Sequence, residues 1–305
     1  MPDPDRVYHS PVLAAEIAEL SRGATRVVDG TLGGGGHAAL FLAAGAQILG
    51  IDRDPEALRE ARGRLGESGL CYLEAPYSSD VALAAITQFR PDLILLDLGV
   101  SSHQLDQAAR GFTFRPGSPL DMRMGASGLT AAALLNEADA ESLRTIFAEY
   151  GDERRAARLA GEIVRRRTRE PFTTSDHLVN AIRAVLGARA GPADFARLFQ
   201  AVRIAVNDEL EGLARALPRM RDALLPGGRL AVISYHSGED RIVKHQFREW
   251  AASCICPPGL PVCTCRGRPL GRLDPRRPIR ASADEIAHNP RARSATLRIF
   301  RTTET

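Results

Sequence analysis

Short apolar runs alternate with amphipathic stretches over the first hundred positions, which is typical of strands that alternate with helices. Four apolar runs predict strands, at residues 26–29, 47–52, 70–74 and 92–97. Between them, residues 38–44 and 55–65 predict helices, the second with Asp54 as N-cap and Pro55 at its first position. This alternation predicts an α/β fold with a parallel, doubly wound sheet.

The alternation stops near residue 105, and the next stretch has helical periodicity only. Helices are predicted at residues 130–136, 140–150, 153–167, 175–186 and 194–217. Strand signals return at 229–235 and 295–300, on either side of a predicted helix at 240–250, and the Pro-, Gly- and Arg-rich stretch 257–278 predicts an irregular loop. We therefore expect an α/β core interrupted by an all-helical insertion. The expected boundaries are a first core part at 1–105, the insertion at 106–200 and a second core part at 201–305.

Composition adds little to this fold prediction but narrows the class of protein. The 305 residues are 44% hydrophobic and 25% charged, as in ordinary globular proteins, and the net charge of +3 does not by itself indicate a nucleic-acid partner. All 40 basic residues except Lys244 are arginines, which suit phosphate binding but also follow from a GC-rich genome. No apolar run approaches the ~20 residues of a membrane span, and the N-terminus lacks a signal pattern, so we expect a cytoplasmic protein.

A loop with four consecutive glycines follows the first predicted strand, where open α/β sheets bind their ligands. A dinucleotide fingerprint would use Gly33, Gly35 and Ala38, with Asp52 on the ribose, but it leaves Asp29 unexplained. S-adenosylmethionine gives both acids a role, because Asp29 would lie near its cationic amino group and Asp52 would accept bonds from its ribose hydroxyls. We therefore favour S-adenosylmethionine and keep the dinucleotide as the alternative.

Ten short motifs follow one another along the chain. They are YHSPVL (8–13), GGH (35–37), GIDRDP (50–55), LLDLGVSSHQLD (95–106), RGF (110–112), PLDMRM (119–124), FQAVRI (199–204), NDEL (207–210), SYHS (234–237) and NPRARS (289–294). Taken together, they resemble the small-subunit ribosomal RNA methyltransferase H family, also called MraW or RsmH. The resemblance extends over residues 8–301, nearly the whole chain.

The resemblance implies a class I (Rossmann-like) methyltransferase. It implies N4-methylation of a decoding-centre (P-site) cytidine of 16S rRNA, in the small ribosomal subunit or its late precursor. It also implies S-adenosylmethionine as cofactor and no catalytic metal; we expect no membrane partner, and a monomer or homodimer. The cofactor contacts carried over are Gly33, Gly35, Gly36, His37, Asp52, Tyr77, Asp97 and Gln104. The chain departs from the usual family residues by having Tyr at 77 and 235, where Phe is common, and Gly at 238 in place of Leu.

Methylation of an exocyclic amine needs an in-line approach and a hydrogen-bond acceptor, but no covalent intermediate. Candidates for catalytic residues lie at the ends of the fourth and fifth strands: Asp97, Ser101, Ser102 and His236. Asp97 could instead only fix the cofactor, and His236 could be a hydrogen-bonded structural residue. Candidate substrate contacts are Asp121, Arg123, Arg203, Asn207 and His236, although Asp121 and Arg123 could equally tie the insertion to the core by ion pairs. We expect Cys71, on an internal strand, to be a buried apolar residue.

Two arginine-rich stretches are candidates for RNA phosphate contacts, with solvated helix faces as the alternative. The insertion carries Arg154, Arg155, Arg158, Arg165, Arg166, Arg167 and Arg169, and the tail carries Arg266, Arg268, Arg272, Arg276, Arg277 and Arg280.

A cysteine-rich loop at 254–265 contains two C-x-C pairs, formed by Cys254, Cys256, Cys263 and Cys265. Structural zinc, reduced thiols and disulfides are all compatible with that spacing.

The alternatives to this function are an N-methyltransferase acting on another RNA or on DNA, a non-catalytic ribosome-assembly factor, and a dehydrogenase. The chain lacks the Asp-Pro-Pro-Tyr type motif of many amino-methylating DNA enzymes, which argues against DNA. The glycine loop, with Asp52 and Asp97, argues against a non-catalytic factor. A dehydrogenase leaves the later motifs unexplained.

Overall fold

A computed structural model describes residues 11–101, 104–105, 107–257 and 262–304. The predictions for Ser102 and for residues 8–10 therefore lie outside the described residues. The chain divides into two compact units. The sheet unit comprises Met1–Gly99 with Leu210–Thr305, and the helical unit comprises Val100–Glu209. These boundaries differ from the 106–200 expected from the sequence, because a boundary at 200 would cut through a continuous helix, Pro192–Asn207.

The sheet unit contains a single sheet with the strand order β3-β2-β1-β4-β5-β8-β6, and β7 pairs with β8. The strands are β1 (Arg26–Asp29), β2 (Gln47–Asp52), β3 (Leu70–Glu74), β4 (Leu93–Asp97), β5 (Arg229–Ser234), β6 (Gly271–Leu273), β7 (Ile279–Arg280) and β8 (Thr296–Thr302). The first five strands pair in parallel, and β8 is antiparallel to β5, β6 and β7. The expected, mostly parallel α/β sheet is confirmed.

The helices are α1 (Ala14–Ser21), α2 (Gly36–Ala43), α3 (Pro55–Leu65), α4 (Asp80–Phe89), α5 (Ala131–Glu137), α6 (Ala140–Thr145), α7 (Ala156–Arg167), α8 (Ser175–Leu186), α9 (Pro192–Asn207), α10 (Glu209–Ala223), α11 (Ser237–Ala251) and α12 (Ala283–His288). Local sequence fixes several starts. The Asp54 carboxylate accepts the Glu56 N–H at 3.0 Å, and the Ser79 hydroxyl accepts the Ala82 N–H at 3.2 Å. Each bond satisfies an N–H group that the first turn of a helix leaves without a partner.

Both faces of the sheet are covered, as the continuously apolar central strands predict. Alternate strand residues belong to different cores. Val28 and Ile94 pack with side chains of α4, α10 and α11, whereas Val27 and Leu95 pack with side chains of α1, α2 and α3. The polar residues that end these strands are consequently left at the edge of the sheet.

The helical unit has a core of its own, built from α5–α9 and including Leu143, Phe147, Leu159, Leu178 and Phe199. Among its described residues there is no strand, only an isolated bridge between Pro119 and Thr174. Across the described parts of the chain, none of the helices combines the length and the apolar character that a bilayer span requires.

Three sequence predictions were wrong. The helix predicted at 194–217 is interrupted at Asp208, whose φ of 53° cannot continue a right-handed helix, and so α9 and α10 are separate. The stretch 257–278 contains β6, which forms through pairing with the distant β8. Cys71 is exposed, because β3 is an edge strand and not an internal one.

Candidate functional site

Four neighbouring parallel strands end in polar residues at one edge of the sheet, which we call the carboxyl edge. β1, β2 and β4 end in Asp29, Asp52 and Asp97, and β5 leads into Tyr235 and His236. Ligands of open α/β sheets bind beyond these strand ends. The carboxyl edge is therefore the candidate cofactor site.

The glycine loop is held against the carboxyl edge by its own backbone. The Gly30 N–H donates to the Leu95 carbonyl and the Leu32 N–H to the Ile51 carbonyl, both at 2.9 Å. Gly35 has a φ of 78°, and a Cβ there would lie 2.5 Å from Cδ1 of Leu65. A side chain at position 35 would therefore clash. The helix α2 starts at Gly36, and the N–H groups of its first turn are of the kind that bind ligands at helix N-termini.

Asp29 is the most deeply buried acid of the carboxyl edge, with an exposed fraction of 1%. Its Oδ1 accepts the Thr31 N–H at 3.3 Å, and its Oδ2 is buried without a hydrogen-bond partner. Burial raises the pKa of Asp29 from 3.8 to about 7, against the opposing effect of nearby His37. An unpartnered buried acceptor of this kind suits a cationic amine.

Asp52 connects the end of β2 to the glycine loop. Its Oδ2 accepts the Gly33 N–H at 2.7 Å and its Oδ1 accepts the Asp54 N–H at 2.8 Å. Desolvation raises the pKa of Asp52. Tyr77 is half-buried. A Cβ placed on Gly30 would lie 3.6 Å from the Cβ of Tyr77, so Tyr77 lies next to the start of the glycine loop.

Asp97 interacts with three other residues of the sheet unit. Its backbone N–H donates to the Thr31 hydroxyl at 2.6 Å, and its Oδ1 accepts the Tyr235 hydroxyl at 2.8 Å. Its Oδ2 lies 3.4 Å from Nε2 of His37, and its side chain is 23% exposed. Burial and the Asp97 carboxylate raise the pKa of Tyr235, which therefore remains a neutral donor. Asp97 thus has a fixed orientation and an accessible edge.

His236 is the N-cap of α11. Its Nδ1 accepts the Gly238 N–H at 3.2 Å, and its Nε2 lies 3.2 Å from Oε1 of buried Glu239. Glu239 in turn accepts the backbone N–H of Tyr235 at 2.8 Å. This geometry favours the structural alternative for His236. A Cβ at Gly238 would lie 3.1 Å from the His236 ring, so a larger residue there would require the ring to move.

Ser101 and Gln104 lie in the helical unit. The Ser101 N–H donates to Oε1 of Gln104 at 3.1 Å, and the Gln104 N–H donates to the Ser101 hydroxyl at 3.2 Å. Gln104 is buried, and its Nε2 donates to the Met124 carbonyl at 3.4 Å. These bonds order the start of the helical unit.

Asp121 and Arg123 form an ion pair with each other, with Nη2 and Oδ2 separated by 2.8 Å. Both residues of this pair belong to the helical unit. The Arg123 guanidinium holds the pKa of Asp121 below its ordinary value. Arg203 is paired in the same bidentate way with Glu209, at 2.8 Å for both contacts.

Asn207 is buried and bonds to the backbone of the loop that carries the PLDMRM motif. Its side chain accepts the Met124 N–H at 2.9 Å and donates to the Met122 carbonyl at 2.7 Å and to the Arg203 carbonyl at 2.9 Å. These contacts make it a positioning residue for that loop.

A cleft of about 330 Å³ opens in the helical unit beside the same loop. It is lined by Leu105, Phe112, Thr113, Phe114, Met122, Ala196, Phe199, Gln200 and Arg203. Phenylalanine rings together with an amide and a guanidinium are the groups that bind unstacked nucleobases.

The arginines of the insertion divide into two groups. Some are used within the helical unit: Arg165 and Arg166 pair with Glu162 at 2.7 and 2.6 Å. Arg155 and Arg167 donate to backbone carbonyls. The exposed arginines Arg154, Arg158 and Arg169 are the better candidates for phosphate contacts.

The exposed arginines of the tail are Arg268, Arg272, Arg276, Arg277 and Arg280. Arg266 instead donates to backbone carbonyls at the C-terminal end of α11.

The four late cysteines form a separate cluster after α11, in which all sulfur atoms lie within 4.8 Å of one another.

Sequence reasoning missed the roles of Tyr235, Glu239 and Glu209. Each is a partner of a residue that had been singled out: Asp97, His236 and Arg203, respectively. All three lie in or next to the recognised motifs, which was the available signal. The pairing of Tyr235 with Asp97 joins residues 138 positions apart and cannot be read from motif letters.

The sequence of the chain is similar to those of known proteins over nearly its whole length. The chain matches the MraW methylase family over residues 6–303. It is 60% identical over 299 residues to the ribosomal RNA small subunit methyltransferase H of Gemmatimonas aurantiaca, with 96% of this chain and 95% of that protein covered. It is 49% identical to the protein of that name from Syntrophotalea carbinolica, with 96% and 97% covered. For the protein of that name from Heliobacterium modesticaldum the identity is 46%, with 95% and 97% covered. The chain therefore belongs to the MraW methylase family.

Proposed function

We propose that this protein transfers a methyl group from S-adenosylmethionine to the N4 amine of a decoding-centre cytidine in 16S rRNA of the small ribosomal subunit. The observation that carries the proposal is the carboxyl edge, where Asp29, Asp52 and Asp97 flank a backbone-pinned glycine loop. The names of the relatives support ribosomal RNA as the substrate.

The carboxyl edge fits S-adenosylmethionine, which when bound supplies an electrophilic sulfonium methyl group. The unpartnered Oδ2 of Asp29 matches the cationic amine of the cofactor, which would stabilise the ionised carboxylate. Asp52 already accepts two backbone N–H groups, which orient its remaining lone pairs for ribose hydroxyls.

Asp97 is our candidate for the acceptor of the cytidine amine. A hydrogen bond from N4 to Asp97 would orient the amine for methyl transfer, with the methyl group supplied by the bound cofactor. The proton that N4 loses passes to the carboxylate and then to solvent. Tyr235 fixes Oδ1 of Asp97 throughout, so that the accessible edge of the carboxylate keeps its direction.

We assign RNA binding to the helical unit. The target base must leave its stack before an enzyme can reach an exocyclic amine. The cleft lined by Phe112, Phe114, Phe199, Gln200 and Arg203 offers stacking surfaces and hydrogen-bonding groups for an unstacked base. The exposed Arg154 and Arg158 supply phosphate contacts.

The test uses small ribosomal subunits from cells that lack this gene. They are incubated with the purified protein and methyl-labelled S-adenosylmethionine, and modified nucleotides are mapped by mass spectrometry. We expect the unmodified protein to produce N4-methylcytidine at one decoding-centre position. The Asp97→Asn variant should have a kcat lower by about 100-fold or more while it still binds the cofactor. Methyl transfer to another nucleotide or another RNA would overturn the substrate, and failure to bind S-adenosylmethionine would overturn the enzyme.

A further inference from the structure

Four cysteines lie together in the loop that follows α11, in two C-x-C pairs. The Sγ atom of Cys263 lies 3.8 Å from those of Cys254 and Cys256 and 3.4 Å from that of Cys265. The Sγ atoms of Cys254 and Cys265 are 3.9 Å apart. These four separations lie between 3.4 and 3.9 Å, and all four sulfurs lie within 4.8 Å of one another.

These separations match the edges of a zinc tetrathiolate. Zn–S bonds of about 2.3 Å place the four sulfurs of a tetrahedral site about 3.8 Å apart. A disulfide requires about 2.05 Å between two sulfurs, whereas these four separations are far longer and all four cysteines are free. The side chains are therefore arranged around a point rather than in pairs.

The described apolar side chains next to the cysteines contribute little to the conformation of the loop. Ile255 is 43% exposed and Val262 is 70% exposed, so neither of the two is buried in a core. The base of the loop is fixed, because the Leu270 N–H donates to the Trp250 carbonyl at 2.8 Å and Arg266 donates to the Ala252 carbonyl at 3.2 Å. Ordering the segment above this base costs conformational entropy, which binding of a metal ion by the cysteines would offset.

We propose that Cys254, Cys256, Cys263 and Cys265 bind one structural Zn²⁺ ion. Each thiol releases its proton to solvent as it becomes a thiolate ligand. Soft thiolates select zinc over magnesium or calcium, and four protein ligands leave no open position for catalysis. The Ile255 N–H donates to Sγ of Cys265 at 3.4 Å, which helps to neutralise the excess negative charge of a tetrathiolate site. The proposal is independent of the methyl-transfer reaction.

The test starts with untagged protein purified under reducing conditions, in which we expect one zinc ion per chain by elemental analysis. Replacement by Co²⁺ should give thiolate charge-transfer bands and the intense visible bands of tetrahedral cobalt. The double variant Cys254→Ser/Cys263→Ser should lose the metal and these bands. Cys71→Ser is the matched control, because Cys71 is an exposed cysteine on β3 outside the cluster, and this variant should keep both.

A second measurement reports on the loop itself. Chelation of the zinc should accelerate tryptic cleavage after Arg266, mapped by mass spectrometry, and added zinc should restore protection. Absence of stoichiometric zinc together with absence of the tetrahedral cobalt spectrum would overturn the proposal, as would cysteine pairs recovered as disulfides from freshly isolated protein. If the double variant does not fold, the metal content and cobalt spectrum of the unmodified protein still decide.

Discussion

The Tyr235 hydroxyl donates a 2.8 Å hydrogen bond to Oδ1 of Asp97, joining the ends of two adjacent parallel strands. Phe is the residue that the family resemblance leads one to expect at position 235, so the hydroxyl is a feature of this chain. Because Tyr235 is held neutral by burial, it remains a donor and never competes with Asp97 for a proton. Tyr235 is therefore a positioning residue for the candidate acceptor.

Removing this hydroxyl should weaken catalysis moderately. A hydrogen bond to a charged group contributes about 1.5–3 kcal/mol, part of which water replaces at a partly exposed carboxylate. We expect Tyr235→Phe to lower kcat about three- to tenfold, with the KM for S-adenosylmethionine unchanged, whereas Asp97→Asn has a much larger effect. Steady-state methyl transfer to small subunits measures both.

Tyr72→Phe is the matched control for the hydroxyl. Tyr72 donates to the Gly66 carbonyl at the surface and touches no residue of the carboxyl edge, so its kcat should equal that of the unmodified protein. Equal rates for Tyr235→Phe and Tyr72→Phe would show that Asp97 does not need this donor.

The raised pKa of Asp29 predicts how cofactor affinity depends on pH. The free protein carries Asp29 with a pKa of about 7, and a cationic amine binds its ionised form. Below about pH 7 binding must expel a proton, so affinity should fall up to tenfold per pH unit, and it should level off above pH 7. Calorimetry at a series of pH values measures this affinity, with S-adenosylhomocysteine as the ligand because it has the same amine. Asp29→Asn should bind weakly and lose most of the dependence, with a remainder from Asp52, whose pKa is also raised.

The raised pKa of Asp29 also predicts how the free energy of unfolding depends on pH. In the folded protein Asp29 holds its proton up to about pH 7, whereas in the unfolded chain it releases it near 3.8. Its contribution to stability is therefore fully present below about pH 4 and is lost as pH rises to about 7, by a few kcal/mol. Urea unfolding of the ligand-free protein should show this loss, and Asp29→Asn should show less of it. Identical pH profiles for the two proteins would contradict the burial argument.

The strands β1, β2, β4 and β5 and their terminal polar residues could be predicted, because an apolar run and the acid that ends it are local features of the sequence. The pairing of Tyr235 with Asp97 could not, since it depends on which strands are neighbours. Cys71 was misjudged for the same reason: β3 looks like other strands in sequence and is exposed only because it lies at the sheet edge. Strand β6 exists only through its distant partner β8.

The two roles left open for His236 can be separated by substitution. If His236 acts as the cap of α11, Asn should replace it, because its amide oxygen can also accept the Gly238 N–H. We expect His236→Asn to keep both stability and kcat, and His236→Ala to lose about 1 kcal/mol of unfolding free energy. Unfolding curves and methyl-transfer rates measure these effects. A large loss of kcat in both variants, with stability intact in His236→Asn, would favour a catalytic contact instead.

Asn207 should matter for stability more than for chemistry. Asn207→Ala leaves the buried Met124 N–H and Met122 carbonyl without their side-chain partner, and each such group costs about 1–3 kcal/mol. We expect the unfolding free energy to fall by about 2–4 kcal/mol in urea titrations. Gln200→Ala, on the same helix, controls for helix propensity and should change it by less than about 0.5 kcal/mol.

The division of the insertion arginines into exposed and internally paired side chains predicts which of them bind RNA. Arg154 and Arg158 are exposed, whereas the guanidinium of Arg165 is held by Glu162 through two contacts of 2.7 and 2.9 Å. We expect Arg154→Ala and Arg158→Ala each to weaken small-subunit binding and to reduce the slope of log affinity against log salt by about 0.9. Filter binding at a series of salt concentrations measures the slope.

Arg165→Ala is the internal reference for this series, since it removes an arginine of α7, the helix that carries Arg158, whose charge is already paired with Glu162. Its salt slope should match that of the unmodified protein, because a paired guanidinium releases no counterion from the RNA. Equal losses for all three variants would mean that the net charge of the helix matters and not the placement of Arg154 and Arg158. Unchanged binding in all three would move the RNA contact to the tail arginines, where Arg276 and Arg277 are the exposed side chains to replace next.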